Sequence, residues 1–332
     1  MINRIKSFFL NTLDPFTLVL ILALILAFKL PVTGKAYTAF YALSKLVVAL
    51  LFFLHGAKLS PKNIKDGFAN YKLQLLILIS TFALFPIVTL ILKPLFALML
   101  ERDLVMGFLF LATLPSTVQS SIAFTSIARG NVAAAVCAAS ASSLLGVIVT
   151  PFLVGLLVHI EASSSWLSTL MDLIIQLVLP FALGMLLRPK LANFLTVHKR
   201  ITNVTDRLSV VFIVYVSFSH ATNTGIFQSL TMSMLPPLIL ASIVILAIAL
   251  IFTWKMSGLL KFPYPDRAAV LFCGSKKSLM AGVPMANIIF APAVASIIII
   301  PLMLFHQIQL IVCAFIAKSL SKKELPQEEE HV

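Results

Sequence analysis

Residues 238–252 read Leu-Ile-Leu-Ala-Ser-Ile-Val-Ile-Leu-Ala-Ile-Ala-Leu-Ile-Phe, an apolar run without a charged side chain. Comparable runs cover Phe16–Phe28 and Ile297–Phe305. These runs lack the strict alternation of apolar and polar residues that a membrane β-strand requires, and a spanning helix needs about 20 mainly apolar residues. The runs therefore predict transmembrane helices.

The composition of the whole chain supports this interpretation. Of its 332 residues, 60% are hydrophobic and 11% are charged, whereas soluble domains are about 45–50% apolar and about 25% charged. A cytosolic enzyme, a secreted disulfide-stabilised domain and a disordered chain are thereby excluded. We predict an all-α membrane protein with ten transmembrane helices, at residues 15–30, 39–58, 72–99, 104–128, 131–159, 166–188, 203–221, 235–256, 266–290 and 293–318.

The basic residues predict how the chain is oriented. Of its 25 Lys and Arg residues, 18 fall in the two terminal segments and in the connections that share their side of the membrane. The opposite connections contain only Lys29, Lys35, Lys93 and Arg102. Because cytoplasmic loops carry an excess of Lys and Arg, we expect a multi-pass protein of the inner (plasma) membrane with both termini in the cytoplasm. The same distribution argues against nucleic acid as a partner, despite a net charge of +13.

Two predicted spans contain polar, helix-breaking stretches near their middle. Span four reads Leu-Pro-Ser-Thr-Val-Gln-Ser-Ser at 114–121, and span nine reads Cys-Gly-Ser-Lys-Lys-Ser at 273–278. Each is the fourth of five spans, which predicts an inverted 5+5 repeat of residues 1–160 and 161–320, followed by a cytoplasmic tail at 321–332. Broken backbone at membrane depth requires a protein environment or a water-filled cavity. Two facing breaks therefore predict a solute site; the alternative is that the kinks only shape helix packing.

Lys276 and Lys277 are the most informative residues of span nine. A charge at the bilayer centre costs at least about 2.5 kcal/mol, so we expect an ammonium group that binds an anion, replaces a coupling cation or carries a proton. Adjacent helical positions point about 100° apart, and we expect only one of the two lysines to face the cavity. The alternative is that span nine is displaced and both lysines lie near the cytoplasmic surface.

The other candidate ligands of a solute or ion are polar side chains inside the spans. They are Thr81, Ser116, Thr117, Gln119, Ser120, Ser121, Asn131, Ser140, Ser275, Ser278, His306 and Gln307. His306 is alternatively a hydrogen-bonded packing residue. Carboxylates are scarce inside the spans, with Asp172 about one turn into span six, so the sequence does not predict the paired carboxylates that a metal site or a proton pump would favour.

Three stretches resemble signatures of the bile acid:sodium symporter family. They are Ala-Arg-Gly-Asn-Val-Ala at 128–133, Phe-Ala-Leu-Phe-Pro at 82–86 and Phe-His-Gln at 305–307. The resemblance covers nearly the whole chain. Residues 272–279 and 55–60 are most similar to a branch of uncharacterised bacterial symporter-like proteins and their eukaryotic relatives linked to calcium homeostasis.

This resemblance implies a specific architecture. A core of spans 3–5 and 8–10 would contain the discontinuous helices 4 and 9, crossed at their breaks, and a panel of spans 1, 2, 6 and 7 would move against it. The solute would bind between panel and core, and two sodium ions would bind within the core.

The sodium ligands implied by the family are only partly present. Aligned on Gly274, the family's glutamate falls on Phe272 and its glutamine falls on Lys276, while Thr81 replaces a glutamine of span three. A hard cation requires several oxygen ligands, preferably including a carboxylate. We therefore hypothesise that Lys276 or Lys277 stands in for a bound sodium ion.

The ligands implied for span five are altered in a similar way. Ala135 and Ala139 take the places of two hydroxyl ligands. The resemblance therefore implies a pair of degenerate sodium sites, near Ser121, Ser140 and Thr81. No other cofactor or metal ion is expected.

Together these features predict a secondary active transporter that moves a small organic anion by alternating access, and not an enzyme. The alternative is a non-transporting membrane regulator, for example of calcium homeostasis. An intramembrane enzyme has little support, because the sequence offers no recognisable catalytic triad or metal motif. A channel is a further alternative, although broken-helix repeats with a buried charge suit a carrier better. The solute, the coupling ion, the direction of transport and the oligomeric state are left open.

Overall fold

The computed structural model describes residues 15–58, 70–158, 174–225 and 232–322, and all regular secondary structure in these ranges is helical. The α-helices are α1 (Pro15–Lys29), α2 (Gly34–Lys58), α3 (Tyr71–Ile79), α4 (Phe85–Ala97), α5 (Arg102–Thr113), α6 (Gln119–Ile127), α7 (Val132–Leu157), α8 (Leu179–Val197), α9 (Lys199–Asn223), α10 (Leu235–Leu259), α11 (Tyr264–Gly274), α12 (Leu279–Ile289) and α13 (Pro292–Ser321). A π-helix at Ser80–Leu84 joins α3 to α4, a second at Ile174–Val178 precedes α8, and a 3₁₀ turn at Met232–Met234 precedes α10.

Within the described ranges, seven helical segments are long and apolar enough to cross a membrane. They are Gly34–Lys58, Tyr71–Ala97, Val132–Leu157, Ile175–Val197, Lys199–Asn223, Leu235–Leu259 and Val294–Ser321. A shorter apolar helix covers Phe16–Lys29. Large apolar side chains are exposed on the outside of the bundle, including Leu98 at 84% and Leu186 at 75%. These features confirm a multi-pass, all-helical membrane protein.

The helices pack in two groups. One, the four-helix group, consists of α1, α2, α8 and α9, with α2 packed along α8 and α9 packed along α1. The other, the main group, contains α3 to α7 and α10 to α13, with α13 packed against α5, α10 and α12. Helix α9 also contacts α12 and α13, so it forms the boundary between the two groups.

A pair of glycines allows α2 and α8 to approach closely. A Cβ atom on Gly56 would lie 2.0 Å from the carbonyl oxygen of Phe181, and one on Gly184 would lie 2.0 Å from that of Phe53. Small residues permit such close backbone contact in membrane helices. The reciprocal contact holds the four-helix group together.

Part of the sequence prediction lies outside the described residues. This applies to Asp172, to residues 323–332 of the tail and to the proposed repeat boundary near residue 160.

Candidate functional site

Both predicted interruptions are present in the structure. Helix α5 ends at Thr113, Leu114 is extended (φ −73°, ψ 153°), and α6 begins at Gln119. Helix α11 ends at Gly274, and α12 begins after Ser278, which is also extended (φ −85°, ψ 111°). Predicted spans four and nine are therefore each two short helices joined by irregular backbone.

The two breaks contact each other directly. Apart from the contacts of the two lysine side chains, three hydrogen bonds join them, and each satisfies a buried backbone carbonyl. They run from Ser116 Oγ to the Cys273 carbonyl (2.5 Å), from Ser121 Oγ to the Phe272 carbonyl (2.9 Å) and from the Ser278 N–H to the Pro115 carbonyl (2.9 Å). The serines of each break thus supply partners that the interrupted helix of the other break needs at membrane depth.

Neighbouring helices leave room for the first break by means of glycine. A Cβ on Gly146 of α7 would lie 2.6 Å from the Cβ of Pro115, and one on Gly282 of α12 would lie 2.5 Å from Leu114 Cδ1. Helix α7 also contributes Ser142, whose Oγ accepts a hydrogen bond from the Ser116 N–H at 2.9 Å. The break is therefore enclosed by closely packed protein.

The ammonium group of Lys277 fills a cage of backbone carbonyls. Its Nζ donates to the carbonyls of Thr81, Ala112 and Leu114, each at 2.7 Å, and the side chain is fully buried. Ala112 and Leu114 lie at the C-terminal end of α5, where the helix dipole is negative. Thr81 lies in the π-helix, where the altered hydrogen-bond pattern changes the positions of backbone carbonyls. The three donors of the ammonium group are thus matched by three oxygens, in an environment suited to a cation.

The backbone of Lys277 is held by α13. Its N–H donates to Gln309 Oε1 at 2.9 Å, and Gln309 Nε2 donates to its carbonyl at 2.9 Å. The same Gln309 Nε2 lies 2.8 Å from Nδ1 of His306. Gln309 is fully buried and was not among the predicted ligands, although a glutamine three residues after His306 on an apolar helix is a recognisable signal. His306 contributes to the site through this glutamine.

Lys276 is equally buried but has different partners. Its Nζ lies 4.2 Å from the ring centroid of Phe124 and 5.6 Å from that of Phe272. The one hydrogen bond that it forms with the described residues is long, 3.5 Å to Ser120 Oγ, and Ser120 in turn donates to Thr117 Oγ1 at 2.8 Å. Aromatic faces attract a cation but leave most of its hydrogen-bonding capacity unused.

The two lysines therefore differ in how fully their charge is compensated. Both are at 0% exposure, so neither ammonium group extends into bulk solvent. Within the described ranges, neither forms an ion pair with a carboxylate. Lys277 is satisfied by oxygens, whereas Lys276 retains donors that a ligand could use.

The second halves of the broken helices begin differently. The N-cap of α12 is Ser278, whose Oγ accepts a hydrogen bond from the Ala281 N–H at 3.2 Å. The N-cap of α6 is Val118, which offers no side-chain acceptor, and the next residue, Gln119, is exposed. The uncapped N–H groups of α6 thus lie beside Ser120 and Lys276, where an anion is favoured.

Polar contacts connect the four-helix group to the main group. They run from Arg207 Nη2 to Gln119 Oε1 (3.2 Å), from Thr17 Oγ1 to Gln307 Oε1 (3.0 Å) and from Ser217 Oγ to Asn287 Oδ1 (2.5 Å). The predicted residues Gln119 and Gln307 therefore lie at the boundary between the groups. The distribution of basic residues assigns Arg207 to a cytoplasmic connection, although its position within predicted span seven indicates another role.

Three of the predicted residues lie apart from the joined breaks or face away from them. Asn131 donates to Asp266 Oδ1 at 2.8 Å and caps α7, at the opposite end of α11 from its break. The Ser275 hydroxyl returns to the Leu271 carbonyl of its own helix at 2.6 Å. Ser140 is partly buried in α7, two residues before the serine that contacts the break. Most of the remaining predicted residues lie in the two breaks, and Thr81 contacts Lys277. His306 is connected to Lys277 through Gln309, and Gln307 contacts Thr17 of α1.

Comparison with known proteins gives consistent matches. A family model described as the SBF-like CPA transporter family matches residues 14–322. A protein of Escherichia coli (strain K12) named "Putative symporter YfeH" is 43% identical over 311 residues, which cover 94% of each chain. "Sodium/bile acid cotransporter 7" of Danio rerio is 31% identical over 281 residues, 82% of each chain. The protein of the same name from Rattus norvegicus is 29% identical over 271 residues, 81% of this chain and 80% of its own.

These names describe transporters and not enzymes, as the sequence analysis predicts. They also confirm the resemblance to the bile acid:sodium symporter family that was inferred from residues 128–133 and 272–279. Because the family model matches residues 14–322, this chain belongs to the SBF-like CPA transporter family.

Proposed function

We propose that the protein is a secondary active transporter that moves a small organic anion by alternating access, without a sodium ion at the position of Lys277. The observation that carries this proposal is the Lys277 ammonium group, which donates to three backbone carbonyls at 2.7 Å each. The membership of a transporter family supports the general activity. The chemistry of the joined breaks supports the solute class and the absence of sodium coupling.

The proposed architecture has ten spans in an inverted repeat, with both termini in the cytoplasm of a plasma-membrane protein. The seven long segments, the shorter helix α1 and the two broken helices together support this number. In this proposal the main group is the core, the four-helix group is the panel, and the broken helices cross at their breaks. The excess of Lys and Arg on one side of the membrane supports the orientation.

A covalently attached cation explains how the site functions without sodium. Backbone carbonyls at a helix C-terminus and at a π-helix are the kind of oxygens that coordinate Na⁺ in discontinuous helices. The lysine places an ammonium group there that is part of the chain and cannot diffuse away. A transporter with this feature keeps the breaks joined whether or not sodium is present.

The anionic solute is inferred from the groups around the start of α6. Lys276 has unused donors, the N–H groups of α6 are uncapped, and Ser120 and Gln119 are accessible from the boundary between the groups. Arg207 adds a second positive charge from the other side of this boundary. A carboxylate or sulfonate placed there would contact both the main group and the four-helix group of helices. Its binding would therefore respond to the relative movement of these two helix groups.

Uptake into proteoliposomes tests this proposal. The purified protein is reconstituted and offered labelled taurocholate and a set of smaller carboxylates, with and without an inward sodium gradient. We expect uptake or counterflow of at least one anion at a rate that is independent of sodium. A strong dependence on the sodium gradient would reject the lysine substitution, and the absence of binding and counterflow for all anions would favour a non-transporting regulator.

The same assay, applied to lysine variants, tests whether Lys276 contributes to the solute site. We expect Lys276→Met to lose most anion binding, because it removes the ammonium group with unused donors and nearly preserves the volume. Lys322→Met is the matched control, because Lys322 lies exposed at the end of α13. Unchanged anion binding by Lys276→Met would remove this lysine from the solute site.

A further inference from the structure

A cleft of 280 Å³ lies between α4, α5 and the end of α7. Its floor is apolar and buried, and is formed by Val105, Leu109, Leu157 and Val158. Two exposed basic side chains, Lys93 of α4 and Arg102 of α5, stand at its rim. Among the described residues that line it, none is acidic. A positive rim over an apolar floor fits a molecule with an anionic head and an alkyl tail.

The position of these two charges makes the cleft unusual. Only four basic residues occupy the connections that the charge bias assigns to the outside of the membrane, and Lys93 and Arg102 are two of them. Basic residues are sparse on that side of membrane proteins, yet both line one cleft. Lys93 forms no ion pair with a carboxylate in the described part of the chain.

The surroundings of the cleft indicate where its occupant comes from. Ile91 and Leu98 are close in sequence to the lining residues Lys93 and Ala97, and they are 71% and 84% exposed. Such surfaces face the acyl chains of a bilayer. A molecule that enters the cleft sideways from the membrane can place its tail along Val105 and Leu109 without crossing water.

We propose that this cleft binds an anionic phospholipid, with the phosphate at Lys93 and Arg102 and part of an acyl chain on the apolar floor. Long basic side chains reach the headgroup level while their stems remain in apolar surroundings. Basic pockets between transmembrane helices recognise anionic headgroups by the same chemistry. The site is independent of the proposed transport function and of the lysines in the breaks.

Native mass spectrometry of the purified full chain tests the proposal. The protein is released from nanodiscs that contain equal amounts of phosphatidylglycerol and phosphatidylcholine with identical acyl chains, and the ratio of retained lipids is measured. The double variant K93Q/R102Q is compared with K29Q/K35Q, which removes the other two outer basic residues. A third variant, Ala97→Phe, fills the cleft and leaves the rim charges in place.

We expect wild type and K29Q/K35Q to retain phosphatidylglycerol preferentially. K93Q/R102Q should lower that preference by about 30-fold, because each basic residue near an anionic surface contributes about 1 kcal/mol. Ala97→Phe should lower it as well. Equal preference in all four proteins, or an equal loss in both double variants, would overturn the proposal. Stabilisation of the protein in detergent by soluble decanoate, without a preference for phosphatidylglycerol, would identify a soluble anion instead and would also overturn it.

Discussion

Lys277 and Leu114 belong to different breaks and are joined by a hydrogen bond of 2.7 Å from the lysine ammonium to the leucine carbonyl. The bond ties the C-terminal end of α5 to the segment that precedes α12. Because the ammonium belongs to the chain, its local concentration does not depend on the ions in solution. The link is therefore a permanent part of the folded state.

Replacing Lys277 with Met should destabilise the fold strongly. The methionine leaves three buried carbonyls at the end of α5 and in the π-helix without a donor, at a cost of about 3 kcal/mol or more. Thermal unfolding of the purified protein in detergent should show a large decrease in Tm. Lys276→Met should have little effect or raise Tm, because it removes a buried charge with one long hydrogen bond. A Lys276→Met variant that is less stable than Lys277→Met would contradict the assignment of the two roles.

Adding a side chain at Gly184 should separate α2 from α8. In Gly184→Val the new atoms would overlap the Phe53 carbonyl, since even a Cβ would lie 2.0 Å from it, and overpacking of this kind costs about 3 kcal/mol. We expect a lower Tm and a smaller yield of monodisperse protein in size-exclusion chromatography. Gly258→Ala is the control, because the three atoms nearest to its Cβ would belong to the side-chain guanidinium of Arg267, at 3.1 Å or more. Equal loss in both variants would argue against a specific helix contact.

A covalent link across the boundary of the two groups should block transport. Ser217 of α9 donates to Asn287 of α12 at 2.5 Å, so cysteines at both positions should react with a short thiol cross-linker. If the groups move relative to each other, the link stops counterflow of the transported anion, and reduction of a cleavable linker restores it. The single variants Ser217→Cys and Asn287→Cys, treated with the same reagent, are the controls. Full counterflow in the cross-linked protein would show that this boundary does not move.

Much of the helical arrangement follows from local sequence. Runs such as residues 238–252 cannot fold in water, and Pro115 and Gly274 interrupt helices wherever the surroundings allow. Both breaks were therefore predictable from residue type alone. Their contact was predictable only from the position of each break within its half of the chain.

The protein groups that contact the two lysines could not be predicted from the sequence. Lys277 is held by backbone carbonyls, which every residue possesses, so Ala112 and Leu114 carry no side-chain signal of their role. The π-helix that presents Thr81 has no simple sequence pattern. Similarly, Arg207 reaches the site only through the packing of α9 on the main group, which local periodicity does not specify.

The response of thermal stability to sodium tests the central claim most directly. Purified wild-type protein and Lys277→Ala are unfolded in NaCl and in KCl at equal ionic strength over a range of concentrations. We predict that wild type unfolds at the same temperature in both salts, and that Lys277→Ala, whose carbonyl cage is vacant, gains a sodium-specific rise in Tm. A saturable, sodium-specific rise in the Tm of wild type would contradict the claim, because it would place a sodium ion beside the lysine that is proposed to replace it.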